Sequence, residues 1–264
     1  MTLFVWVNLD PLYIKYYEFT LGTRRLIYAT GWGGRKWLRH FVLIVLCGIG
    51  KRLSKANLIR ISVAADVIKI GAWMVDHGFF EWIVVEKRQM VWGKIVDKVE
   101  NEKVLYLEFG VYKGYATNWW SKRLLNPRTM IHGFDSFEGL PESGADWQSG
   151  QFDVGGNLPK INDTRVKFFK GWFDKTLPKY DMPEHDVLVI NMDADIYSST
   201  KYVLDYLKPF IKEGTYIYFD ELYCSEHEAR AFHEFIKSTG LKFKPVATTA
   251  GFLACAFICT GSAK

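Results

Sequence analysis

VLYLEFGVYKG, residues 104–114, is the stretch whose reading decides the fold. An apolar run, Val104-Leu105-Tyr106-Leu107, breaks into Glu108-Phe109-Gly110-Val111-Tyr112-Lys113-Gly114. Residues 115–125 then read as a helix with Trp119, Trp120, Leu124 and Leu125 on its apolar side. Strand, glycine turn and helix in succession bring backbone N–H groups to a ligand at the carboxyl edge of a parallel sheet. A residue without Cβ permits that approach or a positive φ, which gives Gly110 and Gly114 a physical reason.

The spacing is acidic-x-Gly-x-x-x-Gly, not the Gly-x-Gly-x-x-Gly of dinucleotide binders. A carboxylate two residues before the first glycine suits a cationic ligand. S-adenosylmethionine, with a sulfonium and an ammonium, suits it better than a pyrophosphate. Taken alone, the motif also fits an ordinary strand–turn–helix connection.

Working outward, strand and helix alternate from residue 104, the mark of a parallel α/β sheet. A second strand at 130–134 ends in Asp135, followed by Ser136-Phe137-Glu138-Gly139-Leu140-Pro141-Glu142. An acid at that strand end is placed to accept the two hydroxyls of a ribose, with turn former or cap as the other reading. The polar, glycine-rich stretch 143–163 is long for a loop and follows the presumed ribose acid, so it is expected to border an acceptor site. A third strand at 166–170 leads into Gly171-Trp172-Phe173, where Trp172 or Phe173 offers a face to an adenine or packs a helix start.

A fourth strand, 186–192, runs into Asp193-Ala194-Asp195, and Ser198-Ser199 is expected to cap a helix over 200–210. A fifth, 215–219, ends in Asp220-Glu221. Adjacent parallel strands joined by a helix put both acidic ends on one edge. Carboxylates gathered there are unfavourable without a cation, so Asp193, Asp195, Asp220 and Glu221 point to a hard divalent ion such as Mg²⁺. The last helix carries a capping box, Ser225-Glu226-His227-Glu228, and ends at Gly240. Two strands, 241–248 and 251–260, would close the chain as a hairpin at the sheet edge.

Before residue 104 the chain is of another kind. Residues 1–60 hold ten Lys/Arg against two acids, net +8, which leaves −3 for the rest of a chain whose total is +5. Aromatics are interleaved with these charges, a loop is expected at Gly31-Trp32-Gly33-Gly34, and 37–47 reads as a helix apolar nearly all round. That segment reads either as a peripheral element on an anionic membrane or as a buried accessory or oligomer element. Its apolar run, 41–49, is too short to span a bilayer, and no signal peptide is evident. Residues 61–100 read as two helices, the second including Ile83, Val84 and Val85, with structural packing as the default role and a lid over the pocket as the other. The four cysteines lack metal-type spacing, which implies a reduced, cytoplasmic setting. On the first of the two readings of the N-terminal segment, the protein would also touch the inner membrane face.

Glu108-x-Gly110-x-x-x-Gly114, DSFEGLPE at 135–142, Asp193-x-Asp195 and Asp220-Glu221 now stand in order. Over residues 100–225 this series resembles the macrocin O-methyltransferase family of class I, S-adenosylmethionine-dependent sugar O-methyltransferases. The resemblance implies a Rossmann-like fold, a mostly parallel seven-stranded sheet with a C-terminal β-hairpin. It does not account for residues 1–60, whose charge and aromatic content set them apart as an N-terminal helical extension from a methyltransferase domain at 61–264. It implies a cofactor site at Glu108, Gly110, Gly114, Asp135, Ser136, Gly171 and Trp172. Mg²⁺ would sit on Asp193, Asp220 and Glu221, with Asp195 as general base and Asp193 sharing the catalytic site. The family usually has Asp-Asp where this chain has Asp220-Glu221, so Glu221 brings a longer arm to the ion. The acceptor implied is a sugar-bearing small molecule, glycolipid or glycan, and the assembly a homo-oligomer. A catechol-type O-methyltransferase and a non-catalytic scaffold of the same fold are the competing readings. The basic arm could hold phosphates, but no base-reading motif appears, so nucleic acid is not expected as a partner.

Overall fold

The computed structural model describes residues 15–21, 24–30, 34–79, 82–143 and 147–262. The chain divides into two units, Met1–Ile61 and Ser62–Lys264, each with its own internal packing.

In the first unit, β1 (Lys15–Leu21) and β2 (Arg24–Thr30) pair antiparallel, Lys15 opposite Thr30 and Leu21 opposite Arg24. The extension is therefore not purely helical. KYYEFTL and RRLIYAT are rich in Tyr, Phe, Ile and Thr, which favour the pleated backbone over the helix. Next comes α1 (Gly34–Gly50), followed by α2 (Lys55–Asp76), which continues past the unit boundary. Of the loop expected at 31–34, only Gly34 is among the described residues, and it opens α1.

The second unit is built on eight strands in the order β3-β9-β10-β8-β7-β4-β5-β6. Their ranges are β3 (Ile83–Val85), β4 (Val104–Phe109), β5 (Met130–Asp135), β6 (Val166–Lys170), β7 (Val187–Met192), β8 (Tyr216–Phe219), β9 (Leu241–Thr249) and β10 (Cys255–Ser262). All pairs are parallel except β10 with β8 and β10 with β9. The eighth strand, β3, forms where the sequence pattern predicts helix. Ile83, Val84 and Val85 instead pair with Ala247, Thr248 and Thr249, so β3 covers β9 and the closing hairpin is not the sheet edge. Three consecutive β-branched residues ahead of Lys87-Arg88 suit a short strand better than a helical turn.

β4 is buried along its whole length, and its side chains alternate between two apolar layers. Leu105, Leu107 and Phe109 pack with α6 (Tyr197–Leu207) and α7 (Glu228–Thr239) through Val203, Leu204 and Phe232. Val104 and Tyr106 pack with α3 (Arg88–Val99) and α4 (Tyr115–Ser121) through Trp92, Ile95 and Trp120. Each large side chain removed from water contributes about 1.5–3 kcal/mol. α3 belongs to this packed layer. Cys224, Cys255 and Cys259 are buried in the unit.

β4 lies between β5 and β7, the place where the strand order reverses. Ligands bind in open α/β sheets outside the carboxyl ends of the strands at that switch point. It places the ends of β4, β7 and β8 side by side, and the acidic residues follow β7 and β8 directly.

Candidate active site

At the switch point the glycine turn and the first acidic cluster touch. Gly110 has φ +92, and a Cβ there would lie 1.8 Å from the Asp193 carbonyl oxygen. The Asp193 N–H donates to Phe109 O at 2.9 Å, and the Gly110 N–H to Phe134 O at 3.0 Å. Gly110 is thus required by the neighbouring chain and by its own positive φ together. Gly114 (φ +74) opens α4, where a Cβ would meet Pro159 at 2.8 Å.

Asp135 locks the loop that follows. Its Oδ2 accepts from the Val111 and Tyr112 N–H groups, both at 2.7 Å, and its Oδ1 from the Phe137 N–H at 2.6 Å. With three of its four lone pairs used on backbone, one acceptor direction is left for a ligand hydroxyl. Ser136 Oγ donates to Gly139 O at 3.0 Å and accepts from the Glu138 N–H at 3.1 Å. The DSFEG run is therefore largely a self-bonded turn. It is pinned to the following loop by Gly156 N–H to Phe137 O at 2.7 Å. At the far end of the motif Glu142 Oε1 accepts from Ser198 Oγ at 2.5 Å, so Ser198 is not the helix cap expected of it.

A cavity of about 890 Å³ opens over this edge, within the size range of small-molecule sites. Gly110, Asp135, Ser136, Gly171 and Trp172 line it, as do Asp193, Asp195, Asp220 and Glu221. Glu108 and Gly114 do not. Glu108 is buried behind the strand, where Oε2 accepts from Thr117 Oγ1 at 2.8 Å and from the Tyr106 hydroxyl at 3.1 Å. Burial pushes its carboxyl up to about 8, against the pull of those two hydroxyls. From the loop 143–163, Trp147 and Phe152 reach the cavity, with ring centroids 5.3 Å apart.

The carboxylates form one electrostatic system. Burial raises Asp193 well above the ordinary aspartate range, and Asp220, Asp195 and Glu228 add to it. Asp195 is pushed up to about 7, first by burial and then by Asp220 and Asp135. Glu221 also reaches about 7, through burial, Asp195 and Asp220, while a hydrogen bond from Trp147 opposes the rise. Asp195 holds φ +59, a left-handed conformation that Asp tolerates better than most residues. The Ile196 N–H closes a tight turn around it by donating to Ala194 O at 2.6 Å.

Two members of this system are not among the site residues that the sequence predicts. Arg88, at the start of α3, donates from Nη1 to Asp220 Oδ2 at 2.5 Å, while the Tyr218 hydroxyl donates to Oδ1. Only the charged pair Lys87-Arg88 ahead of a helix hinted at it. Glu228 was read as part of a capping box, yet α7 has no side-chain cap. Its carboxylate turns inward, fully buried; Oε2 accepts from the Glu221 N–H at 3.0 Å and Oε1 has no hydrogen-bond partner. A helix-start glutamate reads alike in sequence whether it points out or in.

The donor set suits a hard cation in kind: buried carboxylate oxygens, one of them orphaned, with Arg88 as the nearby positive charge. In position it is not assembled as a metal site. Among the described residues no three His, Cys, Asp or Glu are grouped as they would be around one ion, and both Asp220 oxygens are engaged.

A family model described as macrocin-O-methyltransferase (TylF) matches residues 83–250. A tetracenomycin-C rhamnosyl 4'-O-methyltransferase of Streptomyces olivaceus is 31% identical over 119 residues, 38% of this chain and 44% of that protein. Mycinamicin III 3''-O-methyltransferase of Micromonospora griseorubida is 28% identical over 189 residues, 70% of this chain and 65% of that protein. The chain thus spans less than two thirds of either relative. Among solved structures, the calicheamicin methyltransferase CalS11 is similar with a TM-score of 0.51 and 22% identity, over 65% of this chain and 76% of that one. This last likeness is one of fold.

Proposed function

The chain belongs to the macrocin-O-methyltransferase family, and from that premise we propose that it moves a methyl group from S-adenosylmethionine to a sugar hydroxyl of a glycosylated natural product, glycolipid or glycan. One observation carries the reading: the glycine turn at Gly110 and the acids Asp193, Asp195, Asp220 and Glu221 line a single cavity. The relative named for a rhamnosyl-bearing substrate supports the acceptor class.

In this reading the cofactor lies along Gly110, Asp135, Ser136, Gly171 and Trp172. Asp135 turns its remaining lone pair to a ribose hydroxyl, and Trp172 offers an apolar face to the adenine. Glu108 and Gly114 act one step back, by holding strand and loop in shape. Asp195 takes the proton from the acceptor hydroxyl as it attacks the methyl carbon in line, and a carboxyl near 7 suits that exchange at neutral pH. Asp193 adjoins it and is placed by the Gly110 contact. Asp193, Asp220 and Glu221 would hold Mg²⁺, which when bound lowers the pKa of a sugar hydroxyl and orients it. Trp147 and Phe152 form an aromatic wall suited to the apolar face of a sugar ring.

The test is methyl transfer from labelled S-adenosylmethionine to a panel of vicinal-diol sugars and to a catechol, with Mg²⁺ or with EDTA. Sugar methylation is expected, lost in EDTA and in Asp193→Asn and Asp220→Asn, with cofactor affinity by calorimetry retained. Full turnover in EDTA removes the metal. Turnover of the catechol alone transfers the reading to that acceptor, and failure to bind S-adenosylmethionine removes it altogether.

A further inference from the structure

Eighteen large apolar side chains are exposed among the described residues, and ten of them fall between Val42 and Val75. On α1, Val42, Val45, Leu46 and Ile49 recur at three- and four-residue intervals and form one stripe. α2 is apolar on two opposite faces. Ile70 and Met74 are buried in the core of the second unit. Seven residues apart on the other side stand Ile61, Ile68 and Val75, all bare, with Ile68 71% exposed. A surface helix of a soluble domain normally turns polar residues to water. Exposed apolar stripes of this kind mark a binding surface.

The charge says what kind. No Asp or Glu occurs from residue 19 to residue 65, where there are nine Lys/Arg. Lys51 and Arg52, between the two helices, are exposed, as is Arg60 on α2. A second copy of the chain would bring the same uncompensated positive charge to this surface. An anionic lipid surface brings the opposite charge and an apolar layer beneath it. No described helix is long and apolar enough to cross a membrane, so the geometry suits helices lying in the interface.

We propose that α1 and α2 dock the protein on anionic membrane surfaces, their bare apolar stripes entering the headgroup boundary and their basic residues meeting lipid phosphates. On α2 the bare apolar stripe continues to Val75, past the basic segment.

The experiment is co-sedimentation of the full chain with vesicles of phosphatidylglycerol mixed into phosphatidylcholine, against phosphatidylcholine alone. It is read without turnover, so it stands apart from the proposed activity. Binding to the anionic vesicles is expected to be stronger by about tenfold or more and to weaken in high salt. Lys51→Glu with Arg52→Glu is expected to erase the preference, and Leu46→Ser with Ile68→Ser to erase binding to both, each variant still binding S-adenosylmethionine. No sedimentation with anionic vesicles overturns the proposal. So does a stable dimer in size-exclusion chromatography that Leu46→Ser with Ile68→Ser dissociates while vesicle binding is unchanged.

Discussion

Gly110→Ala probes the contact that joins the glycine turn to the acidic site. The new Cβ would stand 1.8 Å from the Asp193 carbonyl oxygen, where real Cβ contacts stay beyond 3.0 Å. One side must therefore retreat by about 1.2 Å. Neither is free to do so cheaply, since the Gly110 N–H is held by Phe134 O and the Asp193 N–H by Phe109 O. The φ of +92 adds about 1–2 kcal/mol for a residue with a Cβ, and forced overpacking about 1–3 kcal/mol. Together they destabilise by about 2–5 kcal/mol, a fall in Tm on the order of 4–20 °C for a unit of this size. Gly214 supplies the control: φ +88, with nothing within 4 Å of its would-be Cβ. Gly214→Ala carries the backbone strain alone, about 1–2 kcal/mol. Activity separates the two further, because a displacement of about 1 Å in a catalytic group costs on the order of a hundredfold in rate. Urea unfolding, cofactor calorimetry and methyl-transfer rates measured on both variants decide the matter. Equal effects from the two substitutions would refute the claim that Gly110 is there to admit the Asp193 backbone.

Three further outcomes follow from the charge arrangement. Arg88→Gln leaves Asp220, 5% exposed, without its cationic partner. Since Arg88 is itself 40% exposed, the loss in metal-free stability is put at about 1–3 kcal/mol, below that of a fully buried pair. The same variant binds Mn²⁺ more tightly in calorimetry, because a competing cation is gone; weaker binding would show Arg88 supporting the ion. If Asp195 is the base, kcat/KM rises with pH toward about 7 and the limb disappears in Asp195→Asn, whereas an unchanged profile in that variant assigns the proton elsewhere. Finally, Glu108, Asp195 and Glu221 have folded values near 8, 7 and 7, all above their unfolded ones. Their contribution to stability is full below the unfolded values and is lost as pH rises through about 7 to 8, so Tm in EDTA falls across that range and Mg²⁺ flattens the slope; a Tm that climbs over the same range contradicts it.

The parts of the fold that were legible are those governed by local pattern. The run 104–107, the β-branched stretch ending at Met192 and the acids after it follow from period, burial and turn chemistry, and they assemble at one sheet edge. What escaped depended on partners far along the chain. Ile83–Val85 becomes a strand because β9 offers it an edge, and no local signal reports that edge. Ser198 and Glu228 match helix-cap patterns, yet Glu142 and the Glu221 N–H claim their side chains. Arg88 lies 132 positions from Asp220, so its role became readable only when the sheet brought α3 to the end of β8.

That misreading of Glu228 bears on how the site is built. A cap facing water would stabilise α7 with a satisfied carboxylate. The fold instead buries that carboxylate beside Asp193, Asp195, Asp220 and Glu221, and leaves one oxygen unpaired. Burial of a polar group without a partner is destabilising, and near other carboxylates more so. An arrangement of that kind persists where the strain is part of what the site does. Five acids around one arginine hold their protons to unusually high pH for want of positive charge, and a bound cation would release those protons. Both the sulfonium of a methyl donor and a divalent ion answer that description. The Gly110 contact matters for the same reason, since it brings the glycine turn against the backbone that carries Asp193.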